Sequence, residues 1–323
     1  MLAPAAEELK SFYGMMHYHM GWVDEQFRPA LADSGKRVRP VLCLLCCEAC
    51  GGRFASALPL AGAVELLHCF SLVHDDIQDR SAVRRHRPTV WQVWGEAHGI
   101  NVGDGLYAAA HASLYRLEQA FGAGLALQVA ECFEETALRL CEGQYLDMAF
   151  EAEPEVSRDQ YTTMIDRKTA ALLGFAAWGG ARLGGADDAL ARCYREMGRR
   201  IGLAFQIQDD LLGIWGAEGE TGKSASSDIA SGKKTLPLLM ALEALPAAGA
   251  GELRRIYSSA ESQERDVARA RELIEDSGAQ ERCASLVEEY HSSALRLLEE
   301  ANPLPAAGEA LRELIQRLAG RSQ

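Results

Sequence analysis

Residues 61–79 read Ala-Gly-Ala-Val-Glu-Leu-Leu-His-Cys-Phe-Ser-Leu-Val-His-Asp-Asp-Ile-Gln-Asp. Apolar residues recur at helical spacing from Ala61 to His74, and the run ends in three acids. Asp75 and Asp79 fall one turn apart on the same face. Like charges at that spacing disfavour a helix by about 0.2–0.5 kcal/mol, so something should offset them. Hard oxygen donors on a common face suit magnesium, which takes one or two carboxylates plus substrate phosphates. A solvated acidic helix end is the alternative, and this stretch alone leaves both readings open.

Outward from it, the same helical spacing recurs around Val38–Cys50, Gly103–Ala120, Leu125–Phe150, Tyr161–Ala181, Ala189–Trp215 and Leu236–Leu245. Two further helices are expected near Ser262–Asp276 and Ala279–Glu300. Alternating Val, Ile and Thr runs are missing, so strands have little support. Breaks are expected at Gly51-Gly52, Gly184-Gly185, Gly216–Gly222, Pro246–Gly251 and Pro303–Gly308, spaced as helix connections rather than as an interdomain linker. The expectation is an all-α chain forming one domain over residues 1–323. No internal period marks a solenoid.

The 323 residues are 48% hydrophobic and 24% charged, which excludes disordered, collagenous and fibrous classes. A net charge of -13 argues against nucleic acid or an anionic membrane surface as a partner. No apolar run reaches the roughly 18–20 residues of a spanning helix, and the start lacks a basic segment before an apolar one, so a cytoplasmic protein without stable membrane insertion is expected. Nine cysteines without framework spacing fit a reducing compartment. Cys43, Cys46, Cys47 and Cys50 share one helical face among Leu42, Leu44, Leu45 and Ala49, which reads as core packing rather than as zinc ligation.

A second acidic pair, Asp209-Asp210, also ends an apolar helical run. Basic clusters stand out in this acidic chain: Lys36-Arg37-Val38-Arg39, Arg84-Arg85, Lys168 beside Thr169, Lys223 and Lys233-Lys234. Each alone reads as surface charge. Jointly they suit a site where metal ions and cations neutralise a diphosphate.

These motifs, in this order, resemble the trans-polyprenyl diphosphate synthase family: Gly35–Pro40, Asp75–Asp79, Arg84-Arg85 with Pro88-Thr89, Gly103-Asp104, Gly143-Gln144 with Asp147, Lys168-Thr169, Phe205–Asp210, and Lys223 with Lys233. The resemblance implies a single helical bundle of the isoprenoid synthase type around a central active-site cavity. It implies condensation of isopentenyl diphosphate with dimethylallyl, geranyl or farnesyl diphosphate. Lys36, Arg39, His68 and Arg85 match the isopentenyl diphosphate site. Asp75, Asp79 and Asp209 match ligands of three magnesium ions. Arg84, Lys168, Thr169, Gln206, Lys223 and Lys233 match contacts to the allylic diphosphate. Asp76 and Asp210 fall behind the ligands. The implied mechanism is magnesium-assisted ionisation, attack by the isopentenyl double bond and loss of a proton to the released pyrophosphate, with no protein nucleophile. His74 reads as a helix-end hydrogen-bonding group rather than a base. A homodimer is implied as well.

The chain departs from the family pattern in three places. Gly213 stands where the third Asp of the second motif is usual, so weaker metal binding is expected there. His86 replaces a usual Gly, and Ser34 precedes the lysine motif where Gly is common. Product length in the family follows the channel below the first aspartate motif. Phe70 lies five residues before Asp75, about 7–8 Å along the helix, with Ser71 at the fourth position. One bulky residue there resembles the geranylgeranyl type, with a farnesyl product as the alternative. A class I terpene cyclase needs no second diphosphate site, which leaves Lys36, Arg39 and Arg85 unexplained. A non-catalytic partner subunit would lack one of the aspartate motifs.

Overall fold

A short 3-10 turn (Glu7–Leu9) precedes helix α1 (Lys10–His19), which is followed by α2 (Val38–Ala49) and the 25-residue α3 (Phe54–Gln78). A two-stranded antiparallel hairpin, β1 (Val83–Arg84) and β2 (Arg87–Pro88), leads into α4 (Val90–Trp94) and α5 (Glu96–Leu114). Next come α6 (Glu118–Ala152), interrupted at Gly122 (φ 77°), and α7 (Arg158–Ile165). A π-helical turn (Asp166–Ala170) then joins α7 to α8 (Ala171–Leu183), which precedes α9 (Asp188–Trp215). Helices Ser227–Ala230, Leu236–Ala244, Ala247–Tyr257, Glu264–Asp276, Ala279–Glu300 and Pro305–Ala319 complete the chain. The structure is a computed structural model describing residues 2–4, 6–33, 35–216, 227–257 and 264–320. Lys223 and Ser34, both singled out by the sequence, lie outside these residues.

The all-α expectation holds. The helix expected from Val38 ends one residue early, and that at Ala279–Glu300 is as expected. Helix α3 starts at Phe54 rather than Ala61 and carries Pro59 inside it, where the ring removes one intrahelical hydrogen bond. Two expected breaks prove helical. Pro246 stands just ahead of a helix at Ala247–Tyr257, and Pro305 opens the last one, where a missing N–H has no intrahelical partner to lose. Helix α1 and the hairpin were not expected.

The chain divides into two compact units, the first comprising Met1–Ala137, Phe175–Arg195 and Pro303–Gly308 and the second Leu138–Gly174, Glu196–Asn302 and Glu309–Gln323. In the first, α3 packs most extensively on α5 and α2. Leu42, Leu60, Leu67 and Leu106 are fully buried there, each stabilising the fold by about 2 kcal/mol of transfer free energy. Cys43, Cys46 and Cys47 are buried in the same layer, and burial pushes their thiols up, as core packing requires. An 18-residue window of α3 is apolar enough to cross a membrane, contrary to the sequence expectation. Its apolar face is explained by coverage, since 56% of that window is buried in protein. In the second unit, Tyr161, Ile207, Leu236, Leu253, Ile274 and Cys283 form one buried cluster.

Candidate functional site

In the first unit, the C-terminal turn of α3 splits its acids by exposure. Asp79 is exposed and Asp75 half-buried, whereas Asp76 is buried at 2% and accepts a 2.7 Å bond from Arg84 Nε of the hairpin. Burial pushes the Asp76 carboxyl up to about 6, against the pull of Arg84. Arg84, expected on the allylic diphosphate, is therefore also the partner of Asp76. The hairpin turn has Arg85 and His86 at φ 51° and 60°, which accounts for glycine being usual at the second position.

Around this turn the cations crowd. Arg39 Nη1 lies 3.2 Å from His68 Nε2. Burial, then Arg39, Arg85 and Arg84, hold His68 well below its usual value. His19 on α1 is brought down to about 3 by burial and by Arg85, Arg84 and Arg87. Glu65 is buried among them, its carboxyl raised by burial and drawn back by Arg37, Arg39 and Arg85. Tyr18, His19, Asp33, Asp76, Arg84 and Arg85 line a small cleft there. A positive cluster holding its histidines neutral is built to receive an anion. Sequence reasoning found Arg39, His68 and Arg85 but missed His19 and Glu65. His19 sits on a helix without a strong apolar period, and Glu65 looked like the polar member of an apolar run. Lys36 is exposed on the loop before α2.

Below the acids, the Phe70 ring meets His74 edge-on at 4.8 Å and Tyr107 at 5.2 Å. The Ser71 hydroxyl donates to the His68 carbonyl at 2.8 Å, so it turns back on its own helix. His74 Nε2 lies 3.3 Å from the Ile100 carbonyl and 3.7 Å from Asp104, the hydrogen-bonding role expected for it.

In the second unit, the π turn carries Lys168 and Thr169. Such a turn rotates side chains off the regular helical face and recurs at functional sites. Gly143 makes the approach possible, since a Cβ there would strike the Lys168 backbone. Lys168 Nζ donates to Asp147 Oδ2 at 2.5 Å, and Lys233 Nζ lies 3.7 Å from the same oxygen. Burial raises the Asp147 carboxyl, yet the two lysines together hold it below its usual value. Thr169 donates to Gln206 Oε1 at 2.7 Å, and Gln206 Nε2 donates to Asp210 Oδ1 at 3.2 Å.

Asp209 is exposed. Asp210 is buried at 3% and accepts from the Tyr161 hydroxyl at 2.6 Å and the Leu236 N–H at 3.1 Å. Burial brings it up to about 6, opposed by Lys233 and those two donors. A Cβ at Gly213 would meet the Asp228 carboxylate, which would have to turn aside. Tyr161, 49 residues from its partner, gave no signal in the sequence.

Among the described residues no three His, Cys, Asp or Glu side chains form a ready-made metal cage. In the first unit Asp79 is exposed and Asp75 half-buried, and in the second Asp209 is exposed, which are carboxylates of the hard-oxygen type that magnesium takes beside water and phosphate.

The Polyprenyl synthetase family model matches residues 20–274. The chain is 40% identical over 288 residues to a geranylgeranyl diphosphate synthase of Mycobacterium tuberculosis, covering 89% of this chain and 81% of that protein. It is 45% identical over 224 residues to a (2E,6E)-farnesyl diphosphate synthase of Mycobacterium bovis, covering 69% of this chain and 61% of that protein. The crystal structure of a polyprenyl synthetase from Streptomyces coelicolor superposes with a TM-score of 0.87 at 38% identity, covering 96% of this chain and 92% of that one.

Proposed function

The chain belongs to the polyprenyl synthetase family, and on that premise we propose that it joins isopentenyl diphosphate to allylic diphosphates and stops at geranylgeranyl diphosphate. One observation carries the reading: Asp76 and Asp210 are committed to protein partners, while Asp79 and Asp209 are exposed and Asp75 is half-buried. Asp75, Asp79 and Asp209 would hold magnesium ions, three per active site, together with the diphosphate oxygens. The bound ions would supply Lewis-acid stabilisation of the departing pyrophosphate.

The chain's own groups do the rest. Lys36, Arg39, His68 and Arg85 bind the isopentenyl diphosphate. Neutral His68 donates or accepts a hydrogen bond without adding to the crowding of charge. Arg84, Lys168, Thr169, Gln206, Lys233 and Lys223 bind the allylic diphosphate. Lys168 and Lys233 hold positions fixed by Asp147, so their charges need no reorganisation as the leaving group departs. Phe70, braced by Tyr107, forms the channel floor.

The two units would then be parts of one synthetase domain, as a family match running from 20 to 274 supports. The enzyme would act as a cytoplasmic homodimer, with neither nucleic acid nor membrane insertion involved. The farnesyl alternative is favoured by the 45% identity to the Mycobacterium bovis protein.

The test is the product profile of the purified chain with magnesium, labelled isopentenyl diphosphate and each of the three starters. A dominant twenty-carbon product is expected, and Phe70→Ala should lengthen it. A stop at fifteen carbons would select the farnesyl reading. Turnover without isopentenyl diphosphate would mean a cyclase, and no product from any starter would mean a partner subunit.

A further inference from the structure

The second unit contains a cavity of about 500 Å³ that none of the roles above uses, within the usual range of about 300–1,000 Å³ for small-molecule sites. Val156 and Gln160 at the start of α7 form one wall, Lys234, Leu238 and Leu242 the facing one, and Tyr257 and Arg254 a third.

Its charges do not cancel. Glu243 is taken by Arg158 at 2.9 Å, and Arg254 lies 3.7 Å from Glu155 at the exposed rim. Lys234 makes no ion pair with any described residue, and its ammonium sits 6.0 Å from the centroid of the Tyr257 ring. Burial pulls its pKa down, the mark of a cation lacking a counter-charge. The Tyr257 side chain is 8% exposed, and its buried hydroxyl has no hydrogen-bond partner among the described residues. Burial, then Asp228, push that hydroxyl's pKa far up, so it stays a neutral donor. That oxygen has almost no accessible surface, so it is sealed from the cavity, and Lys234 is the unpaired charge that the lining offers to a ligand.

We propose that this cavity binds an amphipathic anion, its charged head on Lys234 Nζ and its apolar chain along Val156, Leu238 and Leu242. Occupancy bears on the second aspartate pair, because two donors to Asp210 issue from the cavity walls. Tyr161 follows Gln160 on α7, and the Leu236 N–H lies between Lys234 and Leu238. A ligand that moves either wall changes how Asp210 is held.

Isothermal titration of the full chain with decyl phosphate reads the site directly, whatever reaction the enzyme performs. One molecule per chain is expected. Affinity should fall about tenfold or more in Lys234→Ala, with the variant checked for unchanged thermal unfolding. Leu242→Trp, at a half-buried wall position, should fill the cavity and abolish binding with Lys234 intact. Unchanged affinity in Lys234→Ala and Leu242→Trp, or equal binding of decyltrimethylammonium, overturns the site. Decanoate and geranylgeranyl diphosphate, each read only as the binding lost in Lys234→Ala, separate the sources: equal Lys234 dependence supports any anionic amphiphile, and a larger Lys234-dependent share for the diphosphate supports an isoprenoid one. The coupling rests on the proposed activity. Decyl phosphate should change turnover at saturating substrates at least twofold in the parent and not in Lys234→Ala. Binding without that difference overturns the coupling alone, whereas no turnover in ligand-free parent sinks the functional reading and leaves the binding result standing.

Discussion

Asp76 in the first unit and Asp210 in the second are both buried beside exposed acids, and burial pushes both up to about 6, yet they are held by different means. Asp76 is met by a charge, the Arg84 guanidinium at 2.7 Å. Asp210 touches no cation at hydrogen-bond distance among the bonds that hold it. Its donors are a hydroxyl, an amide side chain and a backbone N–H, with Lys233 acting through its field. A charged partner couples an acid tightly to one mobile side chain on a hairpin. Neutral donors spread the same task over α7, α9 and the start of helix Leu236–Ala244, which fixes three elements at once.

The largest effect expected falls on the outer acids that both arrangements present. Asp75→Ala, Asp79→Ala or Asp209→Ala should lower kcat/KM by about 10³-fold, ~4 kcal/mol of transition-state stabilisation, while changing stability by less than about 1 kcal/mol. Steady-state kinetics with a urea titration checks both halves. If Asp209→Ala lost far less than Asp75→Ala, the two pairs would not share the burden of the ions, and the parallel between them would break.

The inner acids should show the reverse pattern, a cost in stability that depends on how each is held. Arg84→Ala leaves Asp76 buried without its cation. At pH 8 we expect a loss of about 3 kcal/mol, the low end for a broken buried pair because Arg84 is itself 31% exposed. The loss should shrink at pH 4.5, where Asp76 is protonated and no charge is stranded. A loss independent of pH would mean that Arg84 stabilises by packing alone.

Asp210→Asn isolates the other arrangement. An acid whose folded pKa is raised stabilises the fold below its unfolded value near 3.8 and loses that contribution as pH climbs through about 6. The parent should therefore lose stability relative to the Asn variant between pH 4 and pH 7, by at most about 3 kcal/mol for a shift of roughly two units. His19 and His68, whose depressed values act in the opposite sense below pH 6.5, are common to both proteins and cancel in the difference. Chemical denaturation at four pH values measures it, and a flat difference would show that burial does not raise the Asp210 carboxyl above its unfolded value.

Much of this arrangement was legible in the residues. Spacing alone placed α2 and the end of α9, and it put the first aspartate pair in the last turn of α3 and the second more than a turn before the end of α9. It did not show which acid of a pair turns inward, because that depends on contacts far along the chain, such as Tyr161 to Asp210. Asp147 stood in a motif without a role until Lys168 and Lys233, 21 and 86 residues away, converged on it. The helix at Ala247–Tyr257 was hidden by Gly249 and Gly251, local preferences that packing of Leu253 and Ile256 overrides. Gly213 read as a defect of the second motif. The structure shows a carboxylate, Asp228, that would have to turn aside for a side chain there.

The smallest effect sharpens the comparison at the hairpin that positions Arg84. His86 holds φ 60°, a conformation that disfavours an L side chain by roughly 1–2 kcal/mol and glycine hardly at all. Glycine in turn loses more conformational freedom on folding, by about 0.5–1 kcal/mol. The net expectation for His86→Gly is a gain of no more than about 1 kcal/mol, seen as a higher urea midpoint with an unchanged slope. The strain lies one residue from Arg85 and two from Arg84, so relief should leave the pH dependence of Arg84→Ala as it was. If His86→Gly instead destabilised the protein, the imidazole would be a support of the turn. The charged means of holding Asp76 would then include His86 as well as Arg84, leaving the contrast with Asp210 sharper than drawn.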